Sequence, residues 1–250
     1  MSKISIEREF FSNKGELAEY FLMRSLSETI EPIGSWVLQS RLEENGLQVS
    51  IATVGRMLKA LDAKKYSILV ENQGRLLTEE GQRVFKGLSE EIDRRKLQKS
   101  LMTASQPNDL DELLDLMIAR KTIECETARL AASRASKKQI DALYHCINEH
   151  EHQVCSKKDP NLVACNFHES VAEASQNRFL IAALKILIYE EIKLESKISY
   201  LVTREKGQEY VKHHTLVADA ISAGDEKKAV KYMREHMDSM ILAIQKQNEI

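Results

Sequence analysis

Residues 211–237 read VKHHTLVADAISAGDEKKAVKYMREHM, two amphipathic helical segments that meet at Gly224-Asp225. Glycine suits the left-handed position just past a helix end and aspartate suits the N-cap of the next helix, so the stretch predicts a helical hairpin. His214 lies ten residues before Gly224 and His236 eleven after Asp225. At about 1.5 Å per residue each sits roughly 15 Å from the bend, and antiparallel arms set the two imidazoles side by side. Each also falls on the apolar face of its arm, His214 with Val217 and Ile221, His236 with Ala229, Met233, Met240 and Ile244. Two inward histidines at one level point to a shared site. Taken alone, such a histidine is more often a hydrogen-bonded core residue than a ligand.

Working outward, 250 residues allow one large or two medium domains. Three prolines and nine glycines leave little room for hairpins, while Leu, Ala, Glu and Lys abound, so the expected class is mainly α. Cys125, Cys146, Cys155 and Cys165 form no C-x-x-C pair, and the charged start MSKISIEREFF is unlike an export signal. Nowhere do eighteen apolar residues run without a charge. The expectation is a soluble cytoplasmic protein with reduced thiols and no membrane partner. A net charge of -2 gives no global attraction to nucleic acid, so any DNA contact must come from a local patch.

Such a patch is expected in the first domain, residues 1–88. A first helix carries Leu17, Tyr20, Phe21 and Leu26 and ends before Pro32. A second starts at Gly34-Ser35, takes Trp36, Leu38 and Leu42 as its apolar face, and stops at Asn45-Gly46. Ser50 caps a third, which turns Ile51, Val54, Leu58 and Leu61 inward and Ala52, Thr53, Arg56 and Lys59 outward. Residues 66–77 read as a two-stranded wing with Gly74 at its tip, and Thr78 caps a final helix. This order predicts a winged helix-turn-helix with a small β wing. From Ser50 to Arg75 the cations Arg56, Lys59, Lys64, Lys65 and Arg75 face only Asp62 and Glu71. Ser50, Ala52, Thr53, Arg56, Lys59, Gln73 and Arg75 are therefore the candidate contacts to double-stranded operator DNA, Arg75 reaching an adjacent groove. A winged helix that binds protein instead is the alternative.

The stretch EPIGSWVLQSRLEENGLQVSIATVGRMLKALDAKKY, followed by GRLLTEEG, resembles the winged-helix type found near ribonuclease R and in NrpR-like repressors. The resemblance covers about Glu19 to Gly81 and implies a DNA-binding module.

Residues 89–109 form a connecting helix and linker, ending in ASQPND. The third segment, 110–250, reads as an antiparallel all-α bundle. Its first helix, Leu110–Arg134, carries Leu113, Leu114, Met117, Ile118 and Ile123 as core candidates, with Arg120 and Glu124 one turn apart. The second runs from Lys137 to about Val154; its His145, His150 and His152 lie near a charged end and read as solvated. Asp159-Pro160 opens a third with Ala164, Cys165, His168, Val171 and Ala172 on one face. Arg178 to Val202 is a fourth, and the opening hairpin completes the bundle.

ARKTIECETARLAASRAS, FHESVAEASQN and HTLVADAISAGDEKKAVKYMREHM, in this order, resemble the FCD ligand-binding domain of FadR-subfamily GntR transcription regulators. That resemblance implies a helical bundle around a cavity and a divalent metal held by one aspartate and three histidines. The histidines fall at His168, His214 and His236; the aspartate position falls at Ala164. Imidazole donors suit zinc first, with nickel or cobalt as alternatives. Cys165 could supply the missing donor, or the effector's own carboxylate could. The resemblance further implies a small carboxylate metabolite as effector, met by Arg120, with Glu124 and Asn177 as further candidates for its pocket. The resulting expectation is a homodimeric DNA-binding regulator rather than an enzyme. Its alternatives are a metal-free regulator of an acyl-CoA or fatty-acid-like effector, and a three-histidine metal-dependent hydrolase.

Overall fold

The computed structural model describes residues 8–158, 160–195 and 199–248. The chain divides into two compact units, Met1–Leu101 and Met102–Ile250. The described residues are mainly helical with one small antiparallel sheet, the class expected from the sequence.

In the first unit the helices are α1 (Lys14–Ser27), α2 (Ser35–Glu44) and α3 (Ile51–Ala63), followed by strands β1 (Ser67–Val70) and β2 (Gly74–Leu77) and by helix α4 (Glu79–Ala104). The caps follow from residue type. Asn13 accepts from the Glu16 amide, Ser50 from Thr53 and Thr78 from Gly81. Gly46 takes a left-handed φ of 68° after α2, so Leu47 turns into the core. Leu17, Phe21 and Leu26 of α1, Leu38 and Leu42 of α2, and Val54, Leu58 and Leu61 of α3 form that core. Two glycines close the wing. Gly74 has φ +129°, and a Cβ there would lie 2.3 Å from the Ile33 carbonyl, where Ile33 bridges to Arg75 as a third strand position. At Gly81 a Cβ would meet the Tyr66 carbonyl oxygen at 1.9 Å.

Three side chains expected inside are outside: Trp36 and Ile51 in this unit, and Ile118, more than half exposed, in the second. Trp36 is 75% exposed, because it precedes Leu38 by two residues, about 200° around the helix from the buried Leu38 and Leu42. Ile51 is 46% exposed: at the first position of α3 its side chain leans towards the N-terminus, beyond the packed layer.

In the second unit the helices are α5 (Leu110–Arg134), α6 (Lys137–Cys155), α7 (Asn161–Ala174), α8 (Arg178–Glu195), α9 (Ser199–Ser222) and α10 (Glu226–Asn248). Asp109 caps α5, and Ser136 with Gln139 forms a reciprocal capping box on α6. The expected cap at Asp159 lies outside the described residues; Pro160 itself occupies the N-cap of α7. The helix expected to run from Arg178 to Val202 instead ends at Glu195, and α9 begins at Ser199. Gly224, at φ 71°, ends α9, and Asp225 accepts from the Lys228 amide at 3.0 Å to start α10. The antiparallel α9–α10 hairpin packs on α5, with α6, α7 and α8 closing the bundle. Met117, Ala128, Phe167, Val217, Ile221, Met233 and Met237 are among its fully buried core residues.

Candidate metal centre

Three helices deliver one histidine each to the middle of the second unit: His168 from α7, His214 from α9 and His236 from α10. All are at least 97% buried. His214 Nε2 and His168 Nε2 each lie 3.2 Å from His236 Nε2, and one nitrogen from each ring lies within 4.8 Å of the other two. Phe167 stacks on His214 with ring centres 4.1 Å apart, and Tyr210 meets His236 edge-on at 5.2 Å, so packing limits how the rings turn.

The outer nitrogens decide what the inner ones can do. His168 Nδ1 contacts Glu124 Oε2, an ionised acceptor, which places the proton on Nδ1. His214 Nδ1 lies 3.3 Å from His150 Nδ1; with a proton on His214 Nδ1, the partner nitrogen accepts it. The Nε2 atoms of His168 and His214 then turn bare lone pairs towards His236 Nε2, the arrangement of a metal-ligand set in which two of the three rings have an outer partner.

The buried polar atoms without a hydrogen-bond partner, among the described residues, gather around the same centre. They are Tyr210 Oη, His236 Nδ1, His150 Nε2, His213 Nδ1 and Arg120 Nη2, the last 2.7 Å from Glu124 Oε1 but poorly aligned for a hydrogen bond. The enclosed space beside them, lined by the three histidines, Arg120, Ala164, Cys165, Glu191, Tyr210 and Met240, has a volume of about 10 Å³. That is room for one water molecule or one ion. Size and donor set both fit a single cation bound by imidazole.

The other expected residues fall as follows. Cys165 lines the cavity, but its sulfur is outside the tight donor set and packs with Ala172, Leu184 and Ile188. Arg120 is buried in the bundle rather than held open for a ligand: its guanidinium is paired with both Glu124 and Glu191. Glu124 joins Arg120 to His168. Asn177 is not part of the cavity wall. Its side chain accepts from the Phe179 and Leu180 amides and so caps α8.

His150, expected to be solvated, is fully buried against His214. It follows Leu143 and Ile147 at spacings of seven and three, and that periodicity could have placed it inward. Glu191 likewise follows the buried Leu184 and Ile188 by seven and three, and Tyr210 precedes His214 by one turn. His145, by contrast, is exposed and lies 3.5 Å from Glu149.

Burial holds His214 and His236 well below the ordinary histidine range, with the neighbouring histidines adding to the effect. Burial, then the charge of His168, lowers His150 to about 4. For Glu124 burial acts to raise the pKa, but Arg120 and His168 together leave it lowered. The sign of the pH dependence follows. The unfolded chain protonates His150 from its ordinary value of 6.5 downwards while the folded chain does not. Stability is therefore intact above pH 6.5 and lost as pH falls towards 4, on the order of 3 kcal/mol for His150 alone. Urea unfolding of the metal-free protein at pH 7 and pH 5 checks this; equal stabilities would contradict it.

In the first unit, Ser50 Oγ and Thr53 Oγ1 are 2.9 Å apart and Arg56 Nη2 donates to Thr53 Oγ1 at 3.1 Å, so the three form one chain on α3. Ala52, Arg56 and Lys59 are exposed at spacings of four and three, on one face, and Gln73 is exposed at the wing turn. Arg75 departs from expectation. It pairs with Leu69 across the hairpin, and its Nε donates to both oxygens of Asp62, at 2.9 and 3.2 Å, which leaves its side chain largely covered. Lys64 is also held, by Glu19 at 2.6 Å, so the local positive surplus is smaller than the residue count implies.

Residues 115–239, half of the chain, match the FCD domain model. The chain belongs to the FCD-domain family. Residues 20–85 match the ribonuclease R winged-helix domain, so both resemblances read from the sequence hold, one in each half of the FCD protein. No curated protein gives a significant match. Among solved structures, the Listeria monocytogenes protein Lar, which controls expression of the agr system and mediates virulence, superposes with a TM-score of 0.51 at 14% identity. The alignment covers 94% of this chain and 98% of that one, so the fold is shared along nearly the whole length. A Streptococcus agalactiae GntR protein aligns over 91% of this chain and 99% of its own at 18% identity, with a TM-score of 0.47. For Escherichia coli McbR/YncC the shares are 95% and 100%, the identity 16% and the TM-score 0.47. No helix among the described residues is long and apolar enough to cross a membrane.

Proposed function

We propose that this FCD-domain protein is a GntR-type transcription regulator of the FadR subfamily. In this reading its helical half senses a small organic acid through a divalent metal, zinc first, held by His168, His214 and His236. The observation that carries the reading is the convergence of three buried Nε2 atoms on a cavity the size of one ion. Those residues would hold the ion, which when bound offers an open position to a carboxylate. Glu124 and His150 orient His168 and His214 from outside. A cavity of about 10 Å³ takes the ion but not an organic acid beside it, so effector entry requires the surrounding helices to part. An acid that prefers the parted state shifts the protein towards it, and that displacement is the signal passed on.

DNA binding is proposed through Ala52, Thr53, Arg56, Lys59 and Gln73, with Ser50 fixing the start of α3. A homodimer would present two such surfaces to two half-sites. Arg56→Ala tests this on a fragment selected from genomic DNA by the wild-type protein. The expected outcome is a loss of about 1–3 kcal/mol in specific binding, with affinity falling as salt rises. Binding that shows no sequence preference and is unchanged in the variant would overturn the assignment.

A further inference from the structure

A buried ion-pair cluster stands beside the three histidines. Arg120 brings one positive charge, Glu124 and Glu191 bring two negative ones, and all three side chains are 1% exposed. Glu191 Oε2 contacts Arg120 Nη1, and Glu191 is the only carboxylate among the described residues that line the cavity of the three histidines. Glu191 lines the same cavity as the three histidines, and so does Ala164, which presents only a methyl group.

We infer that Glu191, reaching in from α8, supplies the carboxylate donor to the metal ion held by His168, His214 and His236. This rests on the metal reading proposed above and names the anionic ligand of that site. The position four residues before His168 has no donor atom, and the carboxylate arrives from a different helix. Glu191 lies outside the set of nitrogens within 4.8 Å of one another, so reaching the ion takes rotation about its side-chain torsions away from Arg120. Arg120 keeps Glu124 as partner when this happens, and no guanidinium is left unpaired. Cys165 is the weaker donor, being packed among Ala172, Leu184 and Ile188 with its sulfur outside the donor set.

The test titrates zinc, against a competing chelator, into metal-stripped full-length wild type, Glu191→Gln, Glu191→Asp, Cys165→Ser and His214→Ala, with circular dichroism confirming helix content. The absorption spectrum of the cobalt(II)-loaded form is recorded for each. Glu191→Gln is expected to bind zinc about 10–100-fold more weakly than wild type and to change the cobalt spectrum, while Cys165→Ser matches wild type. Wild-type affinity and spectrum in Glu191→Gln would overturn the inference and leave the three-histidine site standing. A sulfur-to-cobalt charge-transfer band that vanishes in Cys165→Ser would give the role to Cys165 instead. Absence of binding in wild type, or undiminished binding in His214→Ala, would remove the metal reading itself. Should Glu191→Gln fail to fold, Glu191→Asp decides, because it keeps the charge and shortens the reach: an unchanged affinity and spectrum overturns the inference, and a changed one supports it.

Discussion

Arg120→Ala is expected to destabilise the helical unit by about 3–5 kcal/mol, the cost of breaking a buried ion pair from one side. Glu124 and Glu191 both depend on this guanidinium, and neither reaches solvent. Removing it leaves Glu191 without its guanidinium partner and Glu124 with His168 as its remaining one, and each must either stay charged in an apolar interior or take up a proton. The second outcome makes the loss depend on pH, largest where both carboxylates would otherwise ionise and smaller in acid. Urea unfolding at pH 7 and pH 5 measures both features. A loss under 1 kcal/mol at pH 7 would mean that the cluster is solvated or balanced by a charge not named above. Replacing all three residues by apolar side chains of similar volume is a useful contrast, because such exchanges are often neutral or stabilising.

His214→Ala is expected to abolish stabilisation by zinc. A ligand that binds only the folded state at a hundred times its Kd adds about 2.7 kcal/mol. For a chain of this size that is a rise in Tm of roughly 5–10 °C. His214 is central to the predicted set, because its Nε2 faces His236 Nε2 at 3.2 Å and its Nδ1 is fixed by His150. The alanine variant loses a donor and gains a void, so its Tm without metal falls as well; the diagnostic quantity is the increment on adding zinc. An increment equal to that of wild type would show that the ion binds elsewhere.

The hairpin of residues 211–237 was legible because its signals are local. Gly224 takes the left-handed φ, Asp225 caps the next helix, and the equal arms set His214 and His236 at one level. His168 could be placed on an apolar helix face from its spacing to Val171 and Ala172, and the family resemblance joined it to the other two. The winged helix was legible through Ser50, Gly74 and Thr78 for the same reason: caps and tight turns need particular residues at particular positions.

Sequence by itself thus determined the element order and the turns, which depend on interactions within a few residues, while the family resemblance picked out the three histidines as a set. Only the tertiary structure decided the partners of the charged side chains. Arg75 looks free in a hairpin read alone, but folding of the first unit brings Asp62 against it. Arg120 has the chemistry of a ligand-binding arginine, yet α8 delivers Glu191 to it from 71 residues away. His150 sits near a charged helix end in sequence, and its last inward position is covered by α9. Periodicity can place His150 and Glu191 on an inward face, but the partner that meets each one there is set through space, and no local pattern announces it. Whether a buried charge is balanced depends on what the other helices bring to it.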